Sequence, residues 1–232
     1  MGKKLIAGVL ASGFIATSAA AEFTGGALSF DHVIKSSYNT TALQGSAVLA
    51  LSNGLFIQGD VGGLRQTASV GHAGFWGAHL GMELDSGTRI GGLAGLENWM
   101  GGRHLTNYGI ELQHDFGQTG GQPLLIEGYL VRQSEASAPF AFTGFGLEAA
   151  YGLSDSSSLN AALFSSGGAL ERTRLSVGLN YTLASNLNLG LEATHINRPG
   201  NNANALGLTV GYKFGSGGLF GSRNSFSYLP GE

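Results

Sequence analysis

The chain has no cysteine, no long apolar run past its first residues, and little charge. Without cysteine it has neither a disulfide framework nor a thiolate site for metal binding or catalysis. Beyond residue 21 no stretch approaches the ~18 consecutive apolar residues of a membrane helix. Charged residues make up 12%, against ~25% in soluble domains. These absences exclude a disulfide-stapled domain and a helical membrane protein, and they disfavour an ordinary soluble enzyme.

Signals for bound groups are missing as well. The 6 histidines are scattered without an i, i+4 ligand pair, and no phosphate loop or dinucleotide fingerprint occurs. The net charge of −3 disfavours a nucleic-acid partner. We therefore expect no metal and no cofactor.

The first 21 residues follow the pattern of an export signal. Lys3 and Lys4 precede an apolar stretch, 5–15, and residues 19–21 are all alanine. A charged start, a short apolar core and a small-x-small end are typical of a cleaved signal peptide. The apolar stretch is too short for a membrane span, which needs ~20 residues. We predict a signal peptide over 1–21 and a mature chain that begins at Glu22.

The chain is rich in glycine, with 40 residues, and its apolar residues recur at every second position. In one example the apolar residues are Leu175, Val177, Leu179, Tyr181 and Leu183, and small or polar residues lie between them. Successive side chains of a strand point to opposite faces, so each such segment has an apolar and a polar face.

About twelve segments of the mature chain show this pattern. They are 23–34, 41–51, 55–65, 73–84, 89–99, 105–116, 124–134, 141–153, 158–165, 173–183, 187–196 and 205–214. Most are long enough to cross a membrane as tilted strands, which takes ~9–11 residues. Short turns rich in Asn, Asp, Gly and Ser alternate with slightly longer connections, as in outer-membrane barrels.

The predicted fold is all-β: a closed antiparallel transmembrane up-and-down β-barrel of about 12 strands. Ten or fourteen strands are alternatives, because 158–165 is short and 23–34 alternates poorly. The barrel is expected over 22–214 and a C-terminal tail over 215–232. A soluble sandwich would alternate too. Long strands, an apolar face with scarce charge and the export signal favour the membrane, where only a closed sheet satisfies every backbone group.

Aromatic residues cluster near the predicted strand ends, where a membrane barrel carries two girdles. The outer set is Phe75, Trp76, Trp99, Tyr108, Phe140 and Phe142, and the inner set is Phe56, Phe116, Tyr151, Tyr181, Tyr212 and Phe214.

The signal peptide, the dyad repeats and the late strand 210–214 (Val-Gly-Tyr-Lys-Phe) resemble small Gram-negative outer-membrane proteins of the porin-like type. The resemblance implies a place in the bacterial outer membrane, contact with its lipid and lipopolysaccharide, and insertion by the barrel-assembly machinery. In such proteins the last strand ends the chain on an aromatic residue. Here Phe214 is followed by residues 215–232, which could be a periplasmic tail, a partial plug or an extra strand around 225–229.

The polar face predicts the lining of a pore. Its charged members are Asp60, Glu83, Arg89, Glu97, Glu111, Asp115, Glu127, Glu148, Arg174, Glu192 and Lys213. Three bases cannot neutralise eight acids, and dry unpaired carboxylates are costly, so a water-filled lumen is the simpler interpretation. The alternative is a plugged polar core in which the charges pair, as Glu83 and Arg89 could across one tight turn.

An acidic wall favours cations. The predicted function is therefore a narrow porin-like channel for passive diffusion of small solutes or ions, with a mild cation preference. A non-conducting structural or adhesive barrel is the alternative.

A lipid hydrolase is a remote alternative. The run 194–197 around His195 faintly resembles the end of lipid A deacylases, which carry a nucleophilic serine two residues after the histidine. Here that position is Asn197, so the hydroxyl that nucleophilic catalysis needs is missing, and we predict no enzymatic activity.

Overall fold

The computed structural model describes residues 21–35, 39–67, 72–85, 87–99, 102–119, 122–135, 141–168, 171–184, 186–215 and 220–224. The predicted signal peptide, except its last residue, lies outside this part of the chain, as do Phe140 and most of the predicted tail.

Twelve antiparallel strands close into one barrel, which confirms the predicted fold and strand number. They are β1 (Glu22–Lys35), β2 (Asn39–Ala50), β3 (Leu55–Gln66), β4 (His72–Asp85), β5 (Thr88–Trp99), β6 (Arg103–Thr119), β7 (Gln122–Glu135), β8 (Ala141–Ser154), β9 (Ser157–Gly168), β10 (Arg172–Ala184), β11 (Leu187–Arg198) and β12 (Asn201–Gly215). Each strand pairs with its sequence neighbours, and β1 closes the ring against β12, with Leu28 opposite Tyr212. No helix in the described ranges is long and apolar enough to cross a membrane.

The period of two decides which residues face outward. Along β10, Leu175, Leu179 and Leu183 are about half exposed on the exterior, whereas Arg174 and Ser176, on either side of Leu175, are buried. The other strands repeat the pattern, so large apolar side chains cover the exterior from β1 to β12. Because alternate side chains must point oppositely, polar and small residues fill the interior.

Apolar clusters fill much of the interior toward one end of the barrel. We call this the outer end, where β1 finishes at Lys35, and the opposite one the inner end. One cluster joins Val33, Ala42, Leu64, Ala73 and Ala205, with Trp99 packed against it. A second, made of Leu93, Tyr129, Val131, Phe142 and Phe164, lies on β5 and β7–β9. Apolar side chains thus occupy much of this half of the lumen.

The aromatic girdles are confirmed only in part. Trp76, Tyr108, Phe116, Tyr181 and Tyr212 are about half exposed on the exterior. Phe56 and Phe142 are buried in the interior and Trp99 packs against an interior cluster, so the assignment of these three residues to the girdles was wrong. The reason is parity, because all three occupy inward positions of their strands.

Candidate functional site

The predicted lining residues fall into three groups inside the barrel. Asp60, Glu111, Glu127 and Glu148 meet near the middle of β3, β6, β7 and β8. Glu83, Arg89, Asp115 and Lys213 lie toward the inner end, where Arg89 and Glu83 form the expected ion pair at 3.6 Å. Arg174 and Glu192 lie on the wall formed by β10 and β11.

Glu97 is separate from these groups. It is buried in the outer half, where it accepts hydrogen bonds from Asn107, from Gln133 (3.1 Å) and from the indole N–H of Trp99 (2.8 Å). Amide and indole donors thus surround this carboxylate, so it does not belong to an open acidic wall.

In the central group, His79 of β4 bridges two carboxylates. Its Nε2 lies 2.8 Å from Oδ2 of Asp60, and its Nδ1 lies 2.5 Å from Oε1 of Glu111. All three residues are only 2% exposed. Both ring nitrogens are therefore engaged, and the ring ties β3 to β6 across the interior.

The C-terminal segment, defined as Phe220–Asn224, enters the barrel and packs against this group. Gln58 of β3 donates from Nε2 to the carbonyl oxygen of Phe220, and the backbone N–H of Phe220 donates to Oε1 of Gln58, both at 2.9 Å. The Phe220 ring lies against Phe56 and His79, with ring centroids 5.5 and 6.0 Å away. These five residues lie where a partial plug would lie, and the alternative of an extra strand around 225–229 falls outside the described residues.

Arg223 brings a positive charge to the three central glutamates. Its Nη1 donates to Glu148 at 2.8 Å, its Nη2 contacts Glu127, and its Nε lies 3.8 Å from Glu111. The guanidinium also lies on the ring of Tyr129, 3.6 Å from the ring centroid. A planar fork of five N–H donors suits several carboxylates at once and stacks on an aromatic face.

Arg223 corrects the charge count made from the sequence. That count treated the acids as outnumbering three bases, and it left the tail out. In the structure Glu111, Glu127 and Glu148 share the Arg223 guanidinium, as in the alternative of a plugged polar core. The backbone N–H of Gly221 donates to Glu127 as well, at 3.2 Å.

Asp31 is a lining residue that the sequence reading missed. Its carboxylate accepts hydrogen bonds from Ser29 (2.9 Å), Gln44 (3.0 Å) and Thr209 (2.7 Å), all inside the barrel. The alternation in β1 is interrupted by His32 on the outward side and Val33 on the inward side, which hid the polarity of the Asp31 face. Leu28, Phe30 and Ile34 occupy outward positions, and from this alternation Asp31 could have been assigned to the inward face.

Open space remains in the lumen beside the C-terminal segment. Three adjoining cavities of about 490, 330 and 380 Å³ lie along β7–β12, β1 and β2, and residues 220–223 line the third. Asn180, Gly190 and Thr209 line both the first and the second, and Glu148, Arg174 and Glu192 line both the second and the third. Small side chains make this room, because β8–β12 present mostly Ala, Gly, Ser, Asn and Thr inward.

The lipid-hydrolase alternative depends on His195, and a metal site would depend on a cluster of histidine or acidic side chains. His195 is exposed on the outer wall, where its Nδ1 lies 2.7 Å from Oδ1 of Asn204. Among the described residues, no group of three His, Asp or Glu side chains is arranged to hold a metal ion.

These features define a closed twelve-stranded antiparallel β-barrel with an apolar exterior and a polar, partly plugged interior. Solved structures share this fold. The KdgM porin superposes with a TM-score of 0.65 at 13% identity, over 81% of this chain and 99% of that one. The NanC porin gives 0.61 at 12% identity, over 82% and 100%.

The outer membrane protein Omp33 of Acinetobacter baumannii gives a TM-score of 0.59 at 10% identity, over 83% of this chain and 99% of that one. At these identities the likeness establishes the fold, and it confirms the porin-like resemblance at that level. No family model and no curated protein matches the sequence.

Proposed function

We propose that this protein is a porin-like channel of the bacterial outer membrane, through which small solutes or ions diffuse passively with a mild cation preference. Its partners would be the surrounding lipid and lipopolysaccharide, the permeating solutes and the barrel-assembly machinery. Export through a cleaved signal peptide, residues 1–21, belongs to the same proposal.

The exterior supports the membrane location. Large apolar side chains are exposed along the outward faces of all the strands, at 60% for Ile110 and 59% for Leu80. A soluble protein rarely exposes contiguous apolar surface of this extent, and lipid would cover it. Strands of 12 to 17 residues rise ~3.3 Å per residue, which is enough to cross a tilted bilayer span.

One observation carries the channel: the chain of cavities beside the C-terminal segment. Neighbouring cavities share lining residues and so adjoin one another, and together their lining runs from Lys213 near the inner end to Val33 in the outer half. A twelve-stranded barrel lies between the filled eight-stranded barrels and the open porins of ~16 strands. A narrow, off-centre passage fits that intermediate size.

The charges on the open side support the cation preference. The acidic residues that line these cavities outnumber the basic ones: Asp31, Asp115, Glu127, Glu148, Asp155 and Glu192 against Arg174, Lys213 and Arg223. Glu148 is shared with Arg223, so the excess of negative charge along the passage is small. Fixed negative charge in a narrow pore concentrates cations, and a small excess gives a mild preference.

The test is single-channel recording of refolded protein in a planar bilayer under a salt gradient. Discrete small conductance steps, with a reversal potential that favours cations, are expected. Replacing Glu192 by Gln should shift the reversal potential toward zero, whereas Glu97→Gln, a change away from the passage, should leave it in place.

A second candidate function, a non-conducting structural barrel, rests on the packing of the outer half. Phe164 and Ile196 are 0% exposed there and Phe142 is 2% exposed, so side chains fill the interior around them. Folded protein can be identified by its heat-dependent gel shift. If such protein gave no conductance steps in the bilayer, the result would favour this candidate over the channel.

A further inference from the structure

The C-terminal segment makes sequence-distant contacts that the barrel does not need in order to close. Phe220 is 3% exposed, Arg223 6% and Asn224 1%, all inside the lumen. Their hydrogen-bond partners lie on four strands: Gln44 on β2, Gln58 on β3, Glu127 on β7 and Glu148 on β8. The strand ladder is already complete at β12, so these contacts serve the interior.

The C-terminal segment makes three kinds of contact: backbone hydrogen bonds, an apolar contact and ionic contacts. Gln58 pairs with the backbone of Phe220 as a neighbouring strand would, with one donated and one accepted bond. The ring of Phe220 joins an apolar patch with Val48 and Phe56. Arg223 occupies the acidic pocket formed by Glu111, Glu127 and Glu148 and floored by Tyr129.

Two of these glutamates border the open space. Glu127 and Glu148 line the cavity of about 330 Å³, and Glu148 and Arg223 line the adjoining cavity of about 380 Å³. A permeating ion therefore meets glutamates whose charge is shared with Arg223. With the guanidinium withdrawn, Glu127 and Glu148 would face the passage without this positive charge beside them.

We propose that the C-terminal segment is a built-in ligand of the acidic wall, held there by Arg223, and that Arg223 sets the ion selectivity of the channel. Docked, Arg223 offsets the central glutamates and keeps the cation preference mild. Released, it would leave a wider and strongly cation-selective lumen. The selectivity part rests on the proposed channel function, whereas the docking part does not.

The first experiment compares the reversal potentials of full-length variants under a salt gradient. Arg223→Gln removes the charge and should raise the ratio of cation to anion permeability several-fold. Arg223→Lys keeps the charge and should stay closer to the unmodified protein. Arg65→Gln is the matched control, because Arg65 is exposed near the outer end of β3, outside the lumen, and should change nothing.

The second experiment measures docking without any current. The chain has no cysteine, so Ser222→Cys introduces a single thiol next to Arg223. A maleimide on a polyethylene glycol chain too large for the lumen should label this thiol slowly. Adding Arg223→Gln should speed the labelling several-fold, and adding Arg65→Gln should not. The gel shift of the labelled chain gives the rate.

The outcomes separate the two proposals. Equal reversal potentials in conducting unmodified and Arg223→Gln proteins would overturn Arg223 as the selectivity residue and leave the channel standing. Silent bilayers from every variant would end the channel proposal and the selectivity role with it. In that case the labelling rates still decide the docking, and equal rates with and without Arg223→Gln would overturn it.

Discussion

The guanidinium of Arg223 stacks on the Tyr129 ring, 3.6 Å from its centroid, so the C-terminal segment contacts a β7 side chain that itself lies over a glycine. Tyr129 is paired in register with Gly146 of β8, and its ring covers the position of a side chain there. This arrangement makes Gly146 a support of the Arg223 site without contact to Arg223 itself.

Replacing Gly146 by Ala should therefore disturb the site. The added Cβ would overlap the Tyr129 ring, which must shift from the position in which it contacts Arg223. Overpacking of this kind costs about 1–3 kcal/mol. Urea unfolding of refolded protein measures the loss. Gly167→Ala on β9 is the control, because its Cβ would meet nothing within 4 Å. Equal midpoints for the two variants would show that the ring is not held against Gly146.

Replacing His79 by Ala should destabilise the barrel strongly. It leaves Asp60 and Glu111, each 2% exposed, without the ring between them. Breaking a buried charge pair costs about 3–5 kcal/mol, because the remaining charge is left uncompensated. The free energy of unfolding in urea is the measurement.

Two comparisons test this reason. Asp60→Asn with Glu111→Gln, added to His79→Ala, should recover part of the loss. His195→Ala, at an exposed histidine, should stay within about 0.5 kcal/mol of the unmodified protein. A loss of similar size at His195 would contradict the bridging role of His79.

Gln58 should hold the C-terminal segment more tightly than Gln44 does. Gln58 makes two hydrogen bonds with the Phe220 backbone, whereas Gln44 accepts one from Asn224 at 3.2 Å. At about 1 kcal/mol per bond, Gln58→Ala should weaken docking more than Gln44→Ala. The maleimide labelling rate of Ser222→Cys in each background reads out the difference. The reverse order would show that the Gln58 bonds do not anchor the segment.

Leu179→Arg and Leu183→Arg test the lipid-facing wall on one strand. Both leucines are about half exposed, Leu179 midway along β10 and Leu183 near its inner end. In a bilayer an arginine costs about 2–4 kcal/mol at the midplane and at most about 1 kcal/mol near the interface. Refolding into lipid vesicles across a urea series measures both. Equal, small effects would mean that water and not lipid covers this wall.

Much of the fold could be predicted from the sequence because the period of two is a local property. Leu175 to Leu183 show their outward face without reference to any other strand, and twelve such segments fit a closed ring. Where the alternation weakened, the prediction weakened too. Asp31 was missed beside His32 and Val33, and Phe56 and Phe142 were placed on the wrong face because nearness to a strand end was weighed above parity.

The site was harder to predict, because its members are brought together by closure of the ring and by a segment with no period at all. Glu127 and Glu148 could be assigned to the interior one at a time. That both meet Arg223, 96 and 75 residues away, depends on where a short irregular stretch settles after the last strand.

The sequence by itself determined the strands, the apolar exterior and the acidic character of the interior, since each follows from residue types at alternate positions. Only the tertiary structure decided that His79 bridges Asp60 and Glu111 and that the segment from Phe220 to Asn224 fills one side of the lumen. Those contacts join residues that are far apart in sequence and that meet only because the barrel is closed. A local sequence pattern contains no information about which residues meet across the lumen.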